Sequence, residues 1–182
     1  YFFSFFIILT IKNRKEIYSN PKPNTRFSIS VLVPAHNEQD SIEDTIRHIA
    51  NLNYPKNKLE IIVINDGSTD NTLEIVRRLM KRYKNLALIN KNNTGKARSL
   101  NIGIEKAKGE LIAVVDSDSF PEKNSLLKLS GFFTDDNMGA VTSFVPVRNR
   151  NRNLLTKIQA VEYLILGWSR KLLDFIDSVN VT

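Results

Sequence analysis

Between residues 29 and 145, short apolar runs alternate with amphipathic segments, and this alternation narrows the possible folds more than any other feature of the chain. Runs rich in Ile, Val and Leu occupy 29–33, 59–64, 86–89, 111–115 and 139–145, and each predicts a strand. The segments between them carry helical spacing. In 40–52, Ile42, Ile46 and Ile49 share one face, with Asp40 or Ser41 as the N-cap. In 69–83 the face is Leu73, Val76, Leu79 and Met80. A third helix is expected over 95–108, stopped by Gly109, and a fourth over 121–133 with Pro121 in its first turn. Strands that are apolar almost throughout need cover on both faces. The expected fold class is therefore α/β, a doubly wound, mostly parallel sheet.

A fifth helix-like segment follows Arg152. Leu154, Ile158, Val161, Ile165, Trp168, Leu172 and Phe175 form a continuous apolar stripe. The favoured reading packs this stripe on its own domain. The alternative lays it on a membrane surface, with Arg170 and Lys171 toward lipid headgroups.

The start of the chain is apolar as well. Residues 1–11 are too short to span a bilayer, which takes about 20 apolar residues. They read either as a buried segment or as the end of a transmembrane helix. The second reading is favoured because Lys12, Arg14 and Lys15 follow at once, and positive flanks mark the cytoplasmic side. Residues 12–27 are then a basic linker containing Pro21 and Pro23, and the globular domain runs over 28–182 on the cytoplasmic side of a membrane.

Composition removes several classes of function. The chain has no cysteine, so it holds no disulfide framework and no thiolate metal site. Two histidines do not make a multi-histidine zinc centre. A net charge of +7 favours anionic partners, but the basic residues are scattered, with no aromatic-interleaved stripe, which argues against nucleic acid.

Ligands of an open parallel sheet bind beyond the carboxyl ends of its strands. Three predicted strands end in polar, acid-bearing segments: Pro34-Ala35-His36-Asn37-Glu38, Asn65-Asp66-Gly67-Ser68, and Asp116-Ser117-Asp118. In extended backbone, Asp116 and Asp118 would point the same way, and two adjacent carboxylates repel unless a cation lies between them. Hard divalent cations, Mn2+ or Mg2+, suit one or two carboxylates plus substrate phosphate oxygens. Capping of the following helix is the plainer alternative. Thr94-Gly95-Lys96 opens a predicted helix and could receive phosphate there. No P-loop and no Gly-x-Gly-x-x-Gly occurs, which disfavours a nucleoside triphosphatase or a dinucleotide dehydrogenase. His36 and His48 read as structural.

Taken in order, VLVPAHNEQDSIEDTI, EIIVINDGSTDNT, NTGKARSLNIGI and LIAVVDSDS resemble family-2 glycosyltransferases of the A-type fold. The stretch GAVTSFVPVRNRNRNLLTKIQAVEY looks like the processive, membrane-embedded branch, which includes poly-N-acetylglucosamine, hyaluronan, chitin and cellulose synthases. The resemblance implies inverting, metal-dependent transfer from a nucleotide diphosphate sugar, in all expectation a UDP-sugar, to a growing polysaccharide or glycolipid. It implies a nucleotide-sugar site of Pro34, Ala35, His36, Glu38, Asp66, Lys96 and Asp116, with Asp66 at the uracil, Lys96 near the nucleotide, and Asp116 and Asp118 on the metal. The family's usual Asp-Asp pair is Asn65-Asp66 here. Its Glu-Asp base motif and Gln-x-x-Arg-Trp motif would lie past Thr182, and Asp135 and Asp136 read as a solvated turn, not as that base. Two alternatives stay open: non-processive transfer to a lipid phosphate, and a non-catalytic module that binds metal and nucleotide. A nucleotidyltransferase would need a glycine-rich loop after the first strand, where Ala35-His36-Asn37-Glu38 stands.

Overall fold

In the computed structural model, which describes residues 2–17, 21–134 and 138–176, the elements run α1 (Phe2–Lys12), α2 (Arg14–Ile17), β1 (Ile29–Ala35), α3 (Ile42–Ala50), β2 (Leu59–Asp66), α4 (Thr72–Met80), β3 (Leu86–Lys91), α5 (Lys96–Lys106), β4 (Leu111–Val114), α6 (Ser125–Ser130) and α7 (Leu154–Asp174). They divide into two bodies, Lys22–Gly139 and Tyr1–Pro21 with Ala140–Thr182.

The first body is the α/β sheet. Four strands in the order β3-β2-β1-β4 are parallel throughout. All seven residues of β1 are buried, as a central strand covered on both faces requires. The period of two sorts its side chains. Ile29, Val31, Val33 and Ala35 join Ile61 and Val63 of β2 and Ile42, Ile46 and Ile49 of α3 in the larger core. Leu32 joins Ile62 and Ile64 in a smaller core against Leu100 and Ala107. Right-handed crossovers explain this division. The chain moves one way from β1 to β3, placing α3 and α4 on one face, then returns past β1 to β4, placing α5 on the other.

The ends of the elements differ from the expectations in several places. Ser41 is the N-cap of α3, but its hydroxyl donates to the Glu38 carboxylate instead of capping. The helix expected over 121–133 is only Ser125–Ser130. Its first part is pulled away, because Asn53 N–H donates to the Lys123 carbonyl and the Asn53 amide to Asn124 Oδ1. The fifth strand expected over 139–145 does not form. This run pairs with no strand among the described residues, and Thr142, Ser143 and Pro146 interrupt its apolar pattern and remove a ladder donor.

In the second body, α7 starts with a capping box: Asn153 Oδ1 accepts from Thr156 N–H, and Asn153 N–H donates to Thr156 Oγ1. Among the described residues, its apolar stripe is covered at the C-terminal end, where Leu172 is fully buried and Trp168 and Phe175 pack with Phe6, Leu9 and Ile17. Leu154, Ile158, Val161 and Ile165 are exposed, so packing of the whole stripe on its own body is not what forms. Lys171 donates to the Ile17 carbonyl, which ties α7 to the end of α2. Among the described residues, no helix is long and apolar enough to cross a membrane.

Candidate functional site

β1 lies between β2 and β4, so the chain reverses its travel across the sheet at this point. The crevice beyond the carboxyl ends of β1 and β4 is the switch point where such sheets bind ligands. A cavity of about 310 Å³ opens there. Pro34, Ala35, His36, Glu38, Asp66, Lys96, Asp116 and Asp118 line it, so all eight residues singled out in the sequence meet at one place. Ser99 and Ser117 complete the lining.

The loop after β1 is laced to the loop after β2. Asn37 adopts a positive φ of 56°, which asparagine tolerates better than most residues. In that conformation its N–H donates to Ser68 Oγ and its side-chain oxygen accepts from Thr69 N–H. Glu38 N–H donates to Thr72 Oγ1, and Gln39 N–H to the Asp70 carboxylate. His36 Nδ1–H donates to the Asp66 carbonyl oxygen at 2.8 Å. The histidine therefore both braces the two strand ends and lines the cavity. His48 lies away from the cavity; its Nδ1–H donates to the Asp44 carbonyl within α3.

Asp66 is the most connected acid. Its carboxylate Oδ1 pairs with Lys91 Nζ and accepts from Thr94 N–H at 2.8 Å; Oδ2 accepts from Gly95 N–H at 2.9 Å. Burial pushes this carboxyl up, but the Lys91 pairing and the two backbone donors outweigh burial and hold it below the ordinary carboxylate value. The anion at the start of α5 is thus Asp66 itself. The Thr94 and Gly95 amides are thereby engaged by Asp66. Two glycines make this closeness possible. Gly67 has φ 68°, and a Cβ there would come within 2.6 Å of Asn93 N. Gly95 has φ 90°, which turns its N–H toward Asp66.

The backbone turns at Ser117 and Asp118, so Asp116 and Asp118 do not share one extended run. Ser119 N–H donates to the Asp116 carbonyl, closing a turn. Ser117 points inward, and its carbonyl accepts from the buried Thr45 hydroxyl at 2.7 Å. The two flanking carboxylates are both left at the cavity by this turn, through a different geometry from the one expected. Asp116 Oδ1 pairs with Lys96 Nζ at 2.5 Å. Two solvent-reachable carboxylates are hard oxygen donors of the kind Mn2+ and Mg2+ accept, so the residues fit such an ion. Among the described residues, no group of three or more His, Asp or Glu placed to hold a metal ion gathers. Asp135 and Asp136 lie outside the described residues.

Sequence reasoning missed Lys91, Ser99 and Thr45. The register that sets Asp66 opposite Lys91 gives the first. Thr45, a polar residue on the apolar Ile42–Ile46–Ile49 face, was a visible signal for the third.

Comparison with known proteins agrees with this geometry. The Glycosyl transferase family 2 model matches residues 30–180. A probable glycosyltransferase of Bacillus subtilis, YdaM, is 39% identical over 145 residues, 77% of this chain and 34% of that protein. A poly-beta-1,6-N-acetyl-D-glucosamine synthase of Staphylococcus aureus is 35% identical over 167 residues, 88% of this chain and 40% of that one. Among solved structures, a mannosyltransferase from Pyrobaculum calidifontis, in complex with GDP-Man and Mn2+, matches with a TM-score of 0.66 and 31% identity, covering 82% of this chain and 45% of its own. TarS of S. aureus in complex with UDP-GlcNAc matches with a TM-score of 0.55 and 26% identity, covering 67% of this chain and 41% of its own. The chain therefore spans 34% and 40% of the length of the two curated relatives. Its α/β sheet is the A-type glycosyltransferase fold, and the chain belongs to glycosyl transferase family 2.

Proposed function

We propose that the switch-point crevice binds a nucleotide diphosphate sugar with Mn2+ or Mg2+, and that the protein transfers the sugar with inversion to a growing polysaccharide or glycolipid. The observation that carries this reading is the convergence of Asp66, Lys96, Asp116 and Asp118 on one cavity at the carboxyl ends of β1 and β4. Asp116 and Asp118 would hold the metal, which neutralises charge on the leaving diphosphate. Lys96 supplies a cation at the same place. Thr45 fixes the turn that carries both acids.

Asp66 supports uridine as the nucleoside. A carboxylate has about four acceptor positions. Lys91, Thr94 and Gly95 occupy three, leaving one on Oδ2. Uracil presents a single N–H between two carbonyls, which one acceptor position satisfies. Guanine presents two adjacent donors and asks for two. The TarS complex with UDP-GlcNAc and the likeness to the poly-N-acetylglucosamine synthase favour a UDP-N-acetylhexosamine donor.

Membrane attachment through residues 1–11, with the sheet body on the cytoplasmic side, belongs to the same reading. Ile7, Ile8 and Ile11 of α1 are exposed apolar side chains, and the basic Lys12, Arg14 and Lys15 follow them. Co-flotation with phosphatidylglycerol vesicles tests it: the chain should float, and Ile8→Asp with Ile11→Asp should stay at the bottom of the gradient. Equal behaviour of the two refutes the attachment.

The donor site is tested by Asp118→Ala. This variant should keep its circular dichroism spectrum and lose Mn2+-dependent UDP binding. Retention of that binding refutes the assignment of the metal.

A further inference from the structure

The Lys96 ammonium pairs with a carboxylate that would serve as a metal ligand. Its Nζ is 2.5 Å from Asp116 Oδ1, the carboxylate that would take the ion. Asp118 forms no ion pair among the described residues, so the two acids differ in their charge partners. The Lys96 and Asp116 side chains are 59% and 54% exposed, so the pair is solvated and its separation costs little. The backbone beneath Lys96 is fixed, because Gly95 N–H is held by Asp66 and Ser99 Oγ donates to the Gly95 carbonyl. Only the four-carbon side chain of Lys96 is left to move.

We propose that Lys96 is an exchangeable stand-in cation that couples metal binding to nucleotide binding. The inference rests on the nucleotide-sugar reading of the crevice and adds an order to it. Without nucleotide, the Lys96 ammonium satisfies Asp116 and opposes a divalent ion by like-charge repulsion. When a diphosphate enters, Lys96 leaves Asp116 for the phosphate oxygens, a stronger anion within reach of the same side chain. Asp116 is then free for the ion. Metal and nucleotide each strengthen the other's binding, and the factor is the same in both directions by linkage. The protein thereby holds a metal more weakly where no substrate is present.

This role moves two affinities in opposite directions, which a simple phosphate contact does not. In Lys96→Gln, binding of Mn2+ alone, read from the free-ion electron paramagnetic resonance signal, should tighten by about two- to fivefold. Binding of UDP at saturating Mn2+, read by calorimetry, should weaken by about tenfold or more. Lys96→Arg keeps the charge and should restore both values toward wild type. If Lys96→Gln binds Mn2+ alone no more tightly than wild type, while wild type binds UDP with Mn2+, the exchange is overturned and the nucleotide site stands. If wild type binds no UDP with Mn2+, the nucleotide reading and the exchange fall together.

Discussion

Replacing Asp66 by Asn tests whether the site is held together by one buried acid. The exchange keeps the shape of the side chain and removes its charge. Lys91 is 13% exposed and Asp66 6%, so the ammonium loses its counter-charge in a place water barely reaches. Thr94 and Gly95 N–H groups both aim at the same carboxylate, and an amide can receive only part of this set while turning an NH2 group against a donor. Leaving one member of a buried pair unmatched costs roughly 3–5 kcal/mol; the Lys91 contact to Ser99 Oγ and the retained amide oxygen reduce this to about 2–4 kcal/mol. In urea this is a shift of about 1 M or more in the unfolding midpoint. The probe is far-ultraviolet circular dichroism, because the chain's one tryptophan, Trp168, belongs to the helical body and not to the sheet body. Adding Lys91→Met to Asp66→Asn removes the orphaned charge and should recover about 1 kcal/mol or more, a coupling of the size direct contacts show. A cost for Asp66→Asn below about 1 kcal/mol, or a double variant weaker by the plain sum of the two losses, would refute the reasoning.

The other expectations follow from the same contacts. Asp66 and Asp70 both have carboxyls held below the ordinary value of 3.8, so their stabilisation is complete above that pH and lost as pH falls through their lower folded-state values. Urea midpoints should therefore drop below about pH 4 in wild type and drop less steeply in Asp66→Asn; equal slopes would contradict this. Gly67→Ala should cost about 1–3 kcal/mol, since its φ is 68° and the new methyl would meet Asn93 N at 2.6 Å; an unchanged midpoint would contradict it. Thr45→Val leaves the buried Ser117 carbonyl without its donor and should cost about 1–3 kcal/mol while weakening Mn2+-dependent UDP binding; undiminished UDP binding would show that the Asp116–Asp118 turn holds without Thr45.

Much of the sheet was legible because its strands must be apolar on both faces and its helices on one. The positions of β1 to β4 and α3 to α5 followed from that pattern, with ends shifted by a few residues. The run over 139–145 shows the limit: apolar character permits a strand, but only a partner with a free edge makes one. The α7 stripe shows another limit. Periodicity reveals that Leu154 to Phe175 share a face and says nothing about what covers it, and among the described residues the end near Leu172 is the part that is covered. The site was legible to the extent that strand ends gather polar residues at one edge. Lys91 escaped because its role depends on register, which places it opposite Asp66 only when β3 pairs with β2. The Asp116–Asp118 pair was found for a partly wrong reason: a turn closed at Ser119 and anchored through Thr45, not an extended strand, leaves both acids at the cavity.

The central claim is that the crevice beyond β1 and β4 holds a nucleotide diphosphate together with a divalent ion. Paramagnetic broadening of backbone amides by Mn2+ tests it directly, since the effect reports distance from the ion. With UDP and substoichiometric Mn2+, the amides of His36 to Glu38, Lys96, and Ser117 to Asp118 should broaden first, and chelation should restore them. Broadening centred on any other part of the chain, or none in the presence of UDP, would contradict the account.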